Sequence, residues 1–277
     1  MTYKFNLSGL VLGVLAAVSL AGPAQAQQAR KALSQDSVIE EIKERGAIKI
    51  GLSLFKPWSM RDKNGELIGF EPDVGRELAK DMGVDAEFIP VSWDGIIPAL
   101  VSGKFDVIIS GMTVTTQRNL TVNFTTPYAY SGNTIYSNIS MTKDFTEEDY
   151  NKSTTIFAAR RGGTPAAAIA RAFPNAQLLQ FDEDGAATQE VLNGNAHATM
   201  GAEPTPTYDV TKYPEVLHIP FDKIYSQSGE AFALRKGDPD GLSFFNNWIA
   251  AKRREGFLKE RQDFWFRSVS WEEQVNQ

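Results

Sequence analysis

Four short segments of the sequence combine aromatic rings, hydroxyls, glycines and arginines, the groups that hold a small polar carboxylate: 53–60, 92–94, 110–118 and 160–164. Arg118 can form two parallel charge-assisted hydrogen bonds with one carboxylate. Thr113 and Thr164 can donate to the same oxygens, and Thr164 opens a predicted helix whose free N–H groups favour an anion. Phe55 and Trp93 can enclose the body of the ligand between their rings. The segments therefore predict a binding site for a small carboxylate.

Each of these features also has a purely structural interpretation. An arginine after a strand is more often part of a surface ion pair, a single tryptophan is more often in the core, and glycines permit tight turns. The prediction depends on the four segments lying together at one edge of a sheet, because ligands of open parallel sheets bind beyond the carboxyl ends of the strands. The sequence contains no Gly-x-Ser-x-Gly elbow, P-loop or Gly-x-Gly-x-x-Gly fingerprint, so no catalytic signature competes with binding.

The spacing of apolar residues predicts two β-α-β-α-β units that place these segments at strand ends. The first has strands at 47–52, 86–91 and 105–110, a short strand at 66–70, and helices at 72–82 and 96–101, the latter capped by Ser92. The second has strands at 155–159, 177–181 and 196–201 and helices at 166–173 and 185–192; a late strand at 231–234 precedes the C-terminal helices. This order predicts an α/β fold with parallel sheets. Because no proline- or serine-rich linker separates the units, we expect short hinge strands to join them.

Composition narrows the classes of partner. The chain has 277 residues, a formal net charge of −6 and a pI near 5.1, which argues against nucleic acid as a partner. It has no cysteine and only two histidines, His197 and His218, whose spacing fits no metal motif. We therefore expect no metal and no other cofactor.

The N-terminus reads as a secretory signal peptide. Lys4 supplies a positive charge, Leu7 to Leu20 is almost wholly apolar or small, and Ala24-Gln25-Ala26 fits the cleavage pattern. The signal is predicted at 1–26, with the mature chain starting near Gln27. No cysteine follows for a lipid anchor, and no later segment is apolar enough to span a membrane, which argues against a membrane sensor. The expectation is a soluble monomer in the periplasm.

Three long motifs resemble the polar amino-acid-binding proteins of ABC importers, the family 3 solute-binding proteins: 64–74, 91–100 and 103–113. Phe124-Thr125-Thr126-Pro127-Tyr128 is similar to the family's Phe-Ser-x-Pro-Tyr. The resemblance implies a two-lobed periplasmic-binding-protein fold, in which each lobe is a mostly parallel sheet flanked by helices. Lobe 1 would take 27–131 and 230–277, and lobe 2 would take 132–229, joined by two short hinge strands. The implied function is capture of an amino acid or related small carboxylate, closure of the hinge, and delivery to an ABC permease.

The resemblance also assigns roles to individual residues. Arg118 would clamp the α-carboxylate, with Thr113 and Thr164 as hydroxyl partners. The other implied contacts are a backbone contact at Gly111, stacking by Phe55 and Trp93, and a cation at Arg161 facing the ligand side chain. The sequence leaves open which of Arg160 and Arg161 faces the cleft.

One position departs from the family pattern. Where the family usually has an aspartate that pairs with the ligand ammonium, this chain has Ala202, followed by Glu203. Three explanations remain open: Glu203 substitutes, another carboxylate does, or the ligand has no primary amine, because an unpaired buried ammonium is costly. The segment near Ser53 also lacks an acidic residue, which speaks against a cationic ligand side chain such as that of lysine.

An enzymatic alternative comes from a second resemblance. Lys56-Pro57-Trp58-Ser59-Met60-Arg61 and Gly162-Gly163-Thr164 are also similar to periplasmic cyclohexadienyl dehydratases, which share this fold. Such an enzyme needs a general acid for a leaving hydroxyl. The catalytic glutamate of that family falls on Thr205, which cannot serve as the acid, and Glu203 lies two residues away. We therefore expect no enzymatic activity.

Overall fold

The computed structural model describes residues 37–275, so the predicted signal peptide lies outside the described residues. The helices are α1 (Val38–Arg45), α2 (Phe70–Met82), α3 (Ile96–Val101), α4 (Thr116–Asn119), α5 (Ile139–Thr142), α6 (Glu147–Tyr150), α7 (Thr164–Ala172), α8 (Asp184–Leu192), α9 (Thr205–Lys212), α10 (Pro239–Arg254) and α11 (Phe257–Arg267). The strands are β1 (Ala47–Leu52), β2 (Met60–Arg61), β3 (Leu67–Ile68), β4 (Asp85–Pro90), β5 (Val107–Ile108), β6 (Asn123–Phe124), β7 (Ala129–Asn138), β8 (Ile156–Arg160), β9 (Gln177–Phe181), β10 (Ala198–Ala202), β11 (Leu217–His218), β12 (Ser226–Glu230) and β13 (Ala233–Leu234). A 3₁₀ turn, Glu272–Gln274, follows α11.

The first sheet has the strand order β4-β1-β5-β13-β6. β1 lies between β4 and β5 and is parallel to both, whereas β13 is antiparallel to its two neighbours. The helical spacing of Val74 and Leu78 lets α2 bury one face against Ile50 of β1 in a common core. The carboxyl ends of β1 and β5 therefore open side by side at the point where the strand order reverses.

The second sheet repeats this arrangement. Its order is β11-β7-β10-β8-β9, with β12 also paired to β7. β8 lies between β9 and β10 and is parallel to both, and β7 is antiparallel to β10, β11 and β12. In each sheet three parallel strands thus form one side, and an antiparallel strand, β13 or β7, adjoins them on the other.

Two segments carry the chain from one sheet to the other, between β6 and β7 and between β12 and β13. They run side by side: the Thr125 N–H donates to the Phe232 carbonyl at 3.0 Å, and the Tyr128 N–H donates to the Glu230 carbonyl at 2.8 Å. The Thr125 hydroxyl accepts from the Phe232 N–H at 3.0 Å. The predicted lobe bounds at 131/132 and 229/230 lie near these crossings and stay a prediction.

Three local expectations differ from the structure. Phe70 starts α2 rather than ending a strand, because the Glu71 N–H donates to the Trp58 carbonyl at 2.9 Å and turns the chain early. Ser92 does not cap α3; Gly95 occupies the cap position. The strands β7 and β12 and the helix α9 were not expected from the sequence.

A buried acid ties α2 to the loop that follows β5. Both oxygens of Glu71, which is fully buried, accept from the Tyr128 hydroxyl at 2.6 and 2.7 Å, and one accepts from the Gly111 N–H at 2.8 Å. Burial raises the pKa of Glu71 from 4.5 to about 8, against the opposing effect of the two hydrogen bonds. At neutral pH the protonated acid is therefore the stable form.

We expect Glu71→Gln to remove a pH dependence of folding. The pKa of Glu71 is higher in the folded state, so the unfolded chain gives up this proton first as pH rises. The free energy of unfolding should fall by up to ~1.4 kcal/mol per pH unit over that interval. Glutamine keeps the shape and the hydrogen bonds but not the titration. Urea unfolding at pH 5, 6.5 and 8 should show the variant gaining on the wild type as pH rises; parallel pH profiles would refute this. The exposed Glu87→Gln exchange controls for loss of one formal charge.

Candidate ligand-binding site

The loops at the carboxyl ends of strands from both sheets meet at the carbonyl of Gly162. Trp93, after β4, donates its indole Nε1–H to this carbonyl at 3.1 Å. Arg118, in α4, donates from Nη2 to the same oxygen, also at 3.1 Å. Three of the four segments singled out in the sequence therefore converge on one atom, with first-sheet side chains bonded to a second-sheet loop.

Arg118 is held in place by neutral groups. Besides Gly162, its guanidinium donates from Nη1 to the Thr113 carbonyl at 2.9 Å and lies 5.2 Å from the ring centroid of Trp93. Burial, followed by the positive charge of Arg160, lowers the pKa of Arg118 to about 10, so the group stays cationic at neutral pH. No carboxylate among residues 37–275 forms an ion pair with Arg118. A half-buried cation held by carbonyls alone is suited to receive an anion.

The two threonines and Gly111 lie around this arginine. Thr164 is the first residue of α7 and lines, with Trp93 and Arg118, a cavity of about 550 Å³. Thr113 is half-buried, and its backbone pairs with Glu230. The Gly111 N–H is already engaged by Glu71, so a ligand contact at Gly111 could not use this N–H.

The aromatic pair encloses a side chain of the protein itself. The guanidinium carbon of Arg160, the last residue of β8, lies 5.1 Å from the ring centroid of Phe55 and 4.3 Å from that of Trp93. Arg160 is 7% exposed, and within residues 37–275 its Nε and Nη1 have no hydrogen-bond partner. The nearest carboxylate oxygen belongs to Asp184, 3.9 Å from Nε. The sandwich predicted for the ligand body therefore holds a guanidinium.

The ligand contact of Arg161 stays a prediction, and the arginine that faces inward in the structure is Arg160. Arg161 is exposed, with Nε 3.2 Å from Asp182 Oδ1 and Nη2 3.2 Å from the Gln180 carbonyl. Successive side chains along a strand point to opposite sides, so Arg160 turns inward and its neighbour turns outward. The pattern of polar and apolar residues could not show which arginine points inward, because Phe157, Ala158 and Ala159 are all buried and apolar.

Glu203 lies apart from Arg118 and Arg160. It follows Ala202 at the end of β10, and its Oε2 accepts from the Thr207 hydroxyl at 2.8 Å, which directs the carboxylate to the first turn of α9. It forms no ion pair with Arg118 or Arg160. Asp184, a half-buried residue that the sequence analysis did not single out, is the carboxylate beside the site.

A second cavity, of about 490 Å³, lies on the other side of Phe55 and includes Lys56, Asp184, Thr188, Thr205 and Asp209 in its lining. The Thr205 hydroxyl donates to the Lys56 carbonyl. Burial, with the charge of Asp184, raises the pKa of Asp209 to about 6. Within residues 37–275, no group of three or more histidine or acidic residues could hold a metal ion, and no helix has the length and apolarity to cross a bilayer.

Comparison with known proteins places this geometry in context. The family described as bacterial extracellular solute-binding proteins, family 3, matches residues 48–268. The L-cystine-binding protein TcyJ of Escherichia coli K12 is 26% identical over 262 residues, covering 92% of this chain and 94% of that protein. A putative ABC transporter binding component from Wolinella succinogenes, solved in complex with lysine, is 37% identical with a TM-score of 0.78, covering 83% and 99%. The ancestral amino acid-binding protein AncCDT-1, a precursor of cyclohexadienyl dehydratase, is 37% identical with a TM-score of 0.77, covering 83% and 100%.

We expect Gly111→Ala to destabilise the fold by about 1–3 kcal/mol, because two costs add. Gly111 has φ +52°, and an added Cβ would lie 2.6 Å from Cζ of Phe55, so the ring would have to shift. Gly46→Ala is the matched control: it has φ +73° but nothing within 4 Å of its Cβ, so only the backbone cost of about 1 kcal/mol applies. Chemical denaturation measures both, and equal losses would show that Phe55 does not require a glycine here.

Proposed function

Since the chain belongs to the family 3 bacterial extracellular solute-binding proteins, we infer that it captures an amino acid or a related small carboxylate between its two sheets. The family and the α/β fold class expected from the sequence are thereby confirmed. Delivery to the permease of an ABC importer follows from the same family membership. The chain would act as a monomer in the periplasm, after removal of residues 1–26.

Arg118 is the observation that carries this proposal. Its half-buried guanidinium is positioned by the carbonyls of Thr113 and Gly162, which fix its orientation without neutralising its charge. Each Nη atom that donates to a carbonyl has a second N–H, so the group can still present two donors to a carboxylate. The hydroxyls of Thr113 and Thr164 and the N-terminal N–H groups of α7 would complete the anion site.

The relatives support a solute-binding role with a ligand of amino-acid type. TcyJ is named for L-cystine, and the Wolinella protein was solved with lysine. The ligands in these names differ in charge. They therefore support an amino acid as the class of ligand, and the nature of its side chain must be inferred from the residues of this chain. Asp184 replaces Glu203 as the candidate partner for a ligand ammonium, since it is the carboxylate next to Arg160.

We place the chain among receptors rather than dehydratases. AncCDT-1 links this fold to an enzyme, but Thr205 stands here where the dehydratase resemblance puts the catalytic acid. The Thr205 hydroxyl donates to the Lys56 carbonyl and so connects the two halves of the molecule. A hydroxyl engaged in this way is a structural contact and is too weak an acid for the reaction.

Arg118→Ala should abolish ligand capture. Removing one member of a buried, charge-assisted pair costs about 3 kcal/mol, or about 100-fold in affinity. The measurement is a thermal-shift screen of the chain from Gln27 against amino acids and small carboxylates, followed by calorimetry with the ligand that raises the melting temperature. Arg161→Ala is the matched control, because that arginine is exposed and paired with Asp182. Equal affinities of Arg118→Ala and wild type would rule out the proposed clamp.

The receptor assignment also predicts that prephenate is not turned over. The chain from Gln27 incubated with prephenate should form phenylpyruvate no faster than buffer alone, measured by the ultraviolet absorbance of the product. Catalysed formation that Asp209→Asn eliminates would instead indicate an enzyme whose acid is Asp209, the carboxyl of raised pKa in the second cavity.

A further inference from the structure

We propose that Arg160 makes this site selective for ligands with two anionic groups, one bound by Arg118 and the other by Arg160, and that it excludes ligands with a cationic side chain. This inference rests on the proposed function and names the class of ligand. The ligands of this class are short dicarboxylates, with or without an amine.

The first argument is occupancy of the aromatic sandwich. Phe55 and Trp93 are 9% and 6% exposed, and the Arg160 guanidinium lies against both rings. Aromatic faces attract a cation, and this cation belongs to the chain. A ligand ammonium or guanidinium that sought the same rings would have to displace Arg160 or lie beside a like charge in a buried site, where the repulsion is strong. The site therefore disfavours lysine and arginine.

The second argument is the unused hydrogen-bonding capacity of Arg160. A guanidinium has five N–H donors, and Nε and Nη1 have no acceptor within residues 37–275. Asp184 is too far, at 3.9 Å, for a hydrogen bond, and Glu183 acts only as a more distant charge. Buried donors without acceptors are costly, and Nε and Nη1 lie on different edges of the guanidinium, each of which it shares with Nη2. A second ligand carboxylate bound through two parallel bonds to either edge would satisfy one of these donors.

The third argument is distance. Arg118 and Arg160 both lie over Trp93, so their guanidinium carbons are separated by at most the sum of 5.2 and 4.3 Å. A short dicarboxylate can bridge two forks at that separation. The neighbouring charges also favour a second anion. The carboxylate beside the two arginines is that of Asp184, whose side chain is 20% exposed. The positive charge of each arginine destabilises the charged form of the other, and an anion bound to each would relieve this repulsion.

Calorimetric titration of three proteins tests the inference: wild type, Arg160→Gln and the matched control Arg161→Gln. The ligands are succinate, glutarate, aspartate, glutamate and cystine, against alanine, glutamine, lysine and arginine. We expect the wild type to bind at least one dicarboxylate and to bind lysine and arginine at least about 100-fold more weakly. Arg160→Gln should lose dicarboxylate affinity by a similar factor and bind arginine better than the wild type does. Arg161→Gln should match the wild type.

Arg160→Lys keeps the inference testable if glutamine prevents folding, which far-ultraviolet circular dichroism will show. It retains the charge but not the fork, so arginine should stay excluded while dicarboxylate affinity falls. Wild-type binding of lysine or arginine as tight as that of any dicarboxylate would overturn the inference. So would a monocarboxylate amino acid bound equally by wild type and Arg160→Gln; if Arg118→Ala abolished that binding, the proposed function would survive. Binding of none of these carboxylates would overturn both.

Discussion

The site depends on holding two guanidinium groups, the half-buried Arg118 and the buried Arg160, against one indole ring without a carboxylate hydrogen-bonded to either within residues 37–275. Burial of an unneutralised charge is among the largest costs in a protein interior. The fold meets it with carbonyl acceptors for Arg118 and aromatic faces for Arg160. These groups hold the cations in place without cancelling their charge. The proposed anionic ligand would supply the negative charge that neutralises them.

The fold provides this arrangement through its two repeated strand orders. In the first sheet Trp93 lies in the loop after the outer parallel strand β4, and in the second sheet Arg160 is the last residue of β8, the middle one of the three parallel strands. The two crossing segments run side by side and are hydrogen-bonded to each other, so the sheets are linked close to the site. Glu71 stabilises the loop after β5, because its buried carboxyl accepts a hydrogen bond from the Gly111 N–H. Distant parts of the sequence thus contribute to one binding surface.

The sequence predicted the parallel strands and the convergence of loops well, because long apolar periods and glycine punctuation are local signals. It predicted β1, β9 and α3 with the bounds found in the structure. It could not predict which of Arg160 and Arg161 turns inward, since they lie at the end of a strand that is buried on both faces. β7 was missed because its residues, Ala129–Asn138, mix buried polar and apolar groups without alternation. The role of Asp184 depends on a tertiary contact that no local pattern encodes.

An aromatic sandwich is a general cation site, and what distinguishes one such site from another is the origin of the cation. Where the ligand supplies it, the protein must supply the compensating acid. Here the chain supplies the cation at Arg160, an alanine occupies position 202, and Glu203 turns to Thr207. Each of these three features makes the site more positive. A single substitution at Arg160 would therefore alter both the volume and the charge between the rings.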